Sequence, residues 1–140
     1  MVRPTITQYT VRFPEGRGGV PRLTSLLARA GVNVRAMVSA NVAGEDVVQF
    51  LARKDADLRE RLERAGLQVR EQQIFQLELA NNHWELHKLA QALADNEIGV
   101  LSFYSEVADG RLKVILAVDE TANAVALADR MGFEPDYAVC

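Results

Sequence analysis

The sequence predicts an α+β fold of two βαββαβ units, antiparallel sheets with helices on one face, packed as one body. Three observations predict it. Apolar periodicity alternates between a strand period of about two and a helix period of about 3.6 in the same order twice. Glycines punctuate both halves at matching points, and the chain superimposes on itself without gaps at a shift of 66 positions. In that register residues 9–74 lie on residues 75–140, and ten pairs are identical: Leu23/Leu89, Leu27/Leu93, Ala28/Ala94, Val34/Val100, Ser39/Ser105, Gly44/Gly110, Val48/Val114, Ala56/Ala122, Arg64/Arg130 and Gly66/Gly132.

Each unit opens on alternation. Tyr9, Val11 and Phe13 face one side with Thr10 and Arg12 between them; Phe75, Leu77 and Leu79 correspond, separated by Gln76 and Glu78. A loop follows, Pro14–Gly19 in one unit and Ala80–Asn82 in the other. Then Val20, Leu23, Leu27 and Ala30 recur at helical spacing, as do Leu86, Leu89, Leu93 and Ala94. Pro21 suits a first helical turn, and Asn82 with Glu85 predicts a capping box with the helix starting at His83. Gly31 ends the first helix. Val32–Val42 and Ile98–Val107 read as strands that turn at Gly44 and Gly110 into Val47–Ala52 and Leu112–Val118. Leu58, Leu62 and Ala65, matched by Ala124, Ala128 and Met131, mark a second helix stopped at Gly66 or Gly132. Closing strands run from Leu67 and Phe133, and Val69–Leu79 reads as almost continuous strand joining the units. The element order is the ferredoxin-like one, with domains at 1–73 and 74–140. If Val34, Val48 and Phe50 face the helices, Met37, Val47, Leu51, Phe103 and Ile115 face away, an apolar surface that predicts a homodimer or higher homo-oligomer.

Composition restricts the function. With 140 residues, 49% apolar and 25% charged, the chain has enough apolar side chains for a core. A net charge of −3 and the single aromatic pair Phe103-Tyr104 argue against a nucleic-acid partner. No apolar run is long enough to cross a bilayer and none resembles a signal peptide, so the expectation is a cytoplasmic protein without a membrane partner. Cys140 is the single cysteine, which leaves no intramolecular disulfide and no thiolate metal site. His83 and His87 stand four apart on a helix, a spacing that fits a metal, but no third ligand accompanies them. Gly16-Arg17-Gly18-Gly19 lacks the Gly-Lys-Ser/Thr ending of a phosphate loop. No nucleophile elbow is present, so neither a catalytic residue nor a cofactor is expected.

These features together resemble the ACT domain, here as a tandem pair like the stand-alone bacterial proteins that carry no attached enzyme. The resemblance rests on the glycine-containing loop after the first strand, on Ala30-Gly31-Val32-Asn33-Val34 followed by Arg35-Ala36-Met37, and on the helix 57–67 with its glycine stop. It implies a regulatory, non-enzymatic module that senses an amino acid or related metabolite where ACT units meet. A carboxylate there would bind at a helix N-terminus, with glycine permitting close approach. The family loop, roughly Asn-x-Pro-Gly, aligns with Glu15-Gly16-Arg17-Gly18 in one copy and Asn81-Asn82-His83-Trp84 in the other. Each copy keeps part of the pattern: the first has Gly18 and the signature residue Asn33, the second has Asn81 but Gly99 at the signature position. The implied ligand-binding residues are therefore Glu15, Gly16, Arg17, Gly18, Gly19, Asn33, Asn81, Asn82, His83 and Trp84, with Asn33 and Asn81 complementing each other. Trp84 can stack on a ligand, plug the pocket or anchor an interface. Two other functions remain open: a structural or oligomerisation module with closed pockets and, more remotely, a metal-dependent glyoxalase-type enzyme, which requires His and Glu on strands.

Overall fold

A computed structural model describes residues 6–14 and 18–133. The chain divides into two compact units on either side of the Gln72–Gln73 bond. The first contains β1 (Ile6–Phe13), α1 (Gly19–Arg29), β2 (Ala36–Val42), β3 (Glu45–Arg53), α2 (Ala56–Arg64) and all but the last residue of β4 (Gln68–Gln73). The second contains β5 (Phe75–Ala80), α3 (His83–Asp95), β6 (Val100–Ala108), β7 (Arg111–Val118) and α4 (Thr121–Arg130). Sheet order is β2-β3-β1-β4 in the first and β5-β7-β6 in the second. The second closing strand, expected from Phe133, falls almost wholly outside the described residues. The expected continuous strand 69–79 is broken at Ile74, between β4 and β5.

Helix ends are set by one repeated device. Gly31 (φ 69°) donates to the Ala28 carbonyl at 3.1 Å while Val32 N–H reaches the Leu27 carbonyl at 3.0 Å, the paired bonds of a left-handed Schellman cap. Gly66 and Gly132 close α2 and α4 in the same way. In α3 the left-handed position is held by Glu97 (φ 57°), with Ile98 N–H bonded to the Leu93 carbonyl at 2.9 Å. Both second strands begin later than expected, at Ala36 rather than Val32 and at Val100 rather than Ile98. The chain leaving such a cap needs several residues to rejoin the ladder; Arg35 N–H does so at the Leu51 carbonyl, 2.8 Å away.

Each unit has its own core under the helices. In the first, Tyr9, Phe13, Phe50, Leu23, Leu58 and Leu62 are buried, with Tyr9 and Phe50 stacked at 5.1 Å between centroids. In the second, Phe75, Leu77, Leu79, Leu89, Val114 and Leu116 take that place. Strand register corrects two expected orientations. Met37 lies opposite Phe50 and Phe103 opposite Leu116, and directly opposed residues share a face, so both belong to the helix side of their sheets. They are only partly covered because β2 and β6 lie at the ends of their sheets' strand order. Leu51 and Ile115 do lie on the opposite face, and both are buried.

Candidate functional site at the loop and helix corners

The first corner is where β1 hands the chain to α1. Glu15, Gly16 and Arg17 lie outside the described residues. Gly18 is the N-cap residue at φ 70°, ψ 13°, a left-handed conformation that glycine adopts without strain. Gly19 opens the helix and is buried; a Cβ on it would stand 2.8 Å from ring atoms of Phe13 and 3.3 Å from Asp46 Cβ. Among the described residues no side chain caps α1, and its first turn holds no acidic residue. The first turn of α1 thus brings no anion of its own to the positive end of the helix dipole, and Asp46 of β3 is an acid placed beside it.

The second corner is built differently. Between β5 and α3 only Asn81 and Asn82 remain, where the first unit has residues 14–18. Asn82 is the N-cap residue, and its Oδ1 accepts from Trp84 N–H at 2.8 Å. The expected capping box is half formed, because Asn82 N–H donates to the Ala80 carbonyl at 2.7 Å and the Glu85 carboxylate lies 3.4 Å from Lys88 Nζ. Gly18 therefore corresponds structurally to Asn82, two residues away from the Trp84 that the gap-free register pairs with it. His83 and Trp84 are residues of the first helical turn, not of a loop. Trp84 is 63% exposed, with His83 tilted at 5.5 Å and His87 edge-on at 6.2 Å. Among the described residues no three His, Cys, Asp or Glu side chains gather as a metal site would require.

The signature position also differs between copies. Asn33 is exposed, on the irregular segment between Gly31 and β2. It stands beyond the C-terminal end of α1 whereas Gly18 and Gly19 stand at its start, so 11 helical residues, about 16 Å at 1.5 Å each, lie between them. One unit by itself does not bring these residues together. Its counterpart Gly99 is tied to Asp119: Gly99 N–H donates to Asp119 Oδ1 at 3.0 Å, and Asp119 N–H returns to the Gly99 carbonyl at 3.0 Å. A Cβ at Gly99 would lie 2.6 Å from Asp119 Oδ2. Sequence reading missed Asp119; the signal available was the change from Arg53 to Asp119 at matching positions.

No family model matches the chain, and no curated protein matches it. Its fold is nonetheless found among solved structures. A protein of Bacteroides thetaiotaomicron superimposes with a TM-score of 0.81 at 14% identity, covering 97% of this chain and 94% of that one. The regulatory subunit of aspartate kinase from Thermus flavus gives a TM-score of 0.67 at 18% identity, covering 90% of each chain. That of Thermus thermophilus, in its ligand-free form, gives 0.63 at 18% identity over 90% of this chain and 91% of that one. These likenesses establish the fold as the tandem ACT-type arrangement of two βαββαβ units. No helix among the described residues is long and apolar enough to cross a membrane.

Proposed function

We propose that the chain is a non-enzymatic regulatory module that binds a small metabolite, an amino acid or a close relative, at its loop and helix corners. The observation that carries this reading is the α1 corner: a left-handed Gly18, a buried Gly19 and a first helical turn with no acidic residue of its own, the Asp46 of β3 beside it being held by Asn41 Nδ2 at 2.9 Å. Such an end attracts a carboxylate, and the likeness to aspartate kinase regulatory subunits supports a regulatory use of it. Because Asn33 and the glycines stand at opposite ends of α1, a ligand that uses both draws them from two units, which also favours homo-oligomer formation in a soluble, cytoplasmic setting. Asn81 and the Asn82-capped start of α3 supply the polar side of such a site, with Trp84 exposed beside it.

A structural or oligomerisation role is the second reading, favoured by one feature: in the second unit Asn82 already occupies the α3 N-terminus and Asp119 the space beside Gly99. Calorimetric titration with each of the twenty amino acids separates the two readings. Saturable binding of at least one, weakened by Asn33→Ala or Asn81→Ala, supports the regulatory module. Absence of heat with all of them rejects it in favour of the structural role.

A further inference from the structure

We propose that the groove between α4 and the segment that follows α3 is a separate binding site for a small aliphatic carboxylate, with Arg130 as its anion-binding group. A cavity of about 190 Å³ opens there, lined by Asn96, Ile98, Asn123, Ala126, Leu127 and Arg130. Ile98 and Leu127 are buried and supply an apolar wall, while both asparagines and the arginine are exposed polar groups. At roughly 30 Å³ per water the space equals about six waters, which fits an acid of a few carbon atoms rather than a nucleotide or a peptide.

Comparison of the two copies points to Arg130. In α2, Arg64 is paired with Glu60 and Arg61 with Asp57 at 3.7 Å, so both cations are satisfied on their own helix. At the matching positions of α4 the arginine is kept as Arg130, but Glu60 becomes Ala126, Asp57 becomes Asn123 and Arg61 becomes Leu127. Two acids and one base have given way to an alanine, an amide and a leucine. Among the described residues no carboxylate pairs with Arg130. The guanidinium fork matches a carboxylate through two parallel N–H bonds. Asn96 Nδ2 donates to the Ala92 carbonyl at 2.8 Å and Asn123 Nδ2 to Glu120, and each amide retains a second N–H for a ligand oxygen. The removal of Glu60's counterpart both empties the groove and frees its cation, which a purely structural repeat does not require.

The test is a ¹H–¹⁵N NMR titration of the full chain with sodium butyrate, with n-butylamine as the opposite-charge control. Butyrate is expected to give saturable shifts at Arg130 Nε–H and at the Asn96 and Asn123 side-chain amides, and n-butylamine none. Ala126→Glu, which rebuilds the pair seen between Glu60 and Arg64, and Arg130→Gln should each weaken butyrate binding at least tenfold; both positions are exposed, and an otherwise unchanged spectrum verifies folding. Absence of saturable shifts, equal affinity in either variant, or equal binding of n-butylamine would overturn the proposal. Asn33→Ala and Asn81→Ala should leave butyrate binding unchanged, so failure at this groove is distinguishable from failure at the loop corners.

Discussion

Gly99 and Asp119 hold each other through two hydrogen bonds of 3.0 Å, one from Gly99 N–H to the Asp119 carboxylate and one from Asp119 N–H to the Gly99 carbonyl. The carboxylate occupies the place where any side chain at position 99 would begin. The first unit has Asn33 at that position of the repeat, and Arg53 in place of Asp119. Two repeats with the same fold thus treat the same position oppositely, one presenting an amide and the other covering its backbone with its own acid.

Converting the second copy toward the first should therefore displace Asp119 from Gly99. Gly99→Asn places Cβ 2.6 Å from Asp119 Oδ2, so the exposed carboxylate has to swing aside and give up its bond to Gly99 N–H, a loss of about 1 kcal/mol. Asp119→Ala removes the obstruction together with one hydrogen bond. A double-mutant cycle by urea denaturation should show the pair to be less destabilised than the sum of the singles. Strict additivity would mean that the carboxylate does not fill this space.

Glu97 offers a gain. It holds the left-handed position at φ 57° that Gly31, Gly66 and Gly132 hold at the ends of the other three helices. An L-residue there costs roughly 1–2 kcal/mol, partly offset in the variant by the greater freedom of glycine in the unfolded chain. Glu97→Gly should raise stability by about 0.5–1 kcal/mol, read as a higher urea midpoint at unchanged slope. A lower midpoint would show that the Glu97 side chain contributes more than its backbone strain costs.

The same residues show how far the sequence was readable. Periodicity and the glycine stops specified both helices and hairpins of each unit, because a left-handed cap and a two-residue turn demand particular residues. Glu97 was silent for the opposite reason: tertiary structure imposes the cap geometry on a residue that does not advertise it. The faces of Met37 and Phe103 were misjudged because the segments after Gly31 and Glu97 leave the ladder, and a strand that resumes after irregular residues no longer has an alternation that can be counted from the cap. Gly18 and Asn33 were legible as residue types, but their placement at opposite ends of α1 follows from helix length. The Asp119 contact is long-range, and no local pattern encodes it.

Gly19 should be the least replaceable residue of the α1 corner. Phe13 and Asp46 fill the space a Cβ would need, with Phe13 ring atoms 2.8 Å from a built Cβ, and Phe13 is itself a fully packed core residue that has no room to move away. Gly19→Ala should cost about 2–3 kcal/mol despite the better helix propensity of alanine. Gly19→Ala combined with Phe13→Leu should recover part of that loss relative to Phe13→Leu alone. Thermal denaturation of the four chains measures it, and an undiminished loss in the Phe13→Leu background would place the strain elsewhere.

Tyr9 should make the fold sensitive to alkali. Its ring is buried against Phe50, and its hydroxyl accepts from Asp55 N–H at 3.1 Å while donating to the Asp55 carbonyl at 3.4 Å. Burial pushes its pKa above the ordinary 10.0, outweighing the opposing effect of the hydrogen bond to the Asp55 backbone; Tyr104 is raised by burial as well. For an acid whose folded pKa is raised, the unfolded chain loses its proton first. The associated stability is fully present below about pH 10 and is lost as pH rises through the folded value, at up to about 1.4 kcal/mol per pH unit for each proton. Urea midpoints should therefore be level up to pH 9.5 and fall between pH 10 and 11. Tyr9→Phe should begin about 1 kcal/mol less stable at pH 8, because Asp55 N–H loses its partner, yet decline less steeply, with Tyr104 responsible for part of the remaining slope. An equally steep decline in Tyr9→Phe would show that the Tyr9 hydroxyl does not titrate with unfolding.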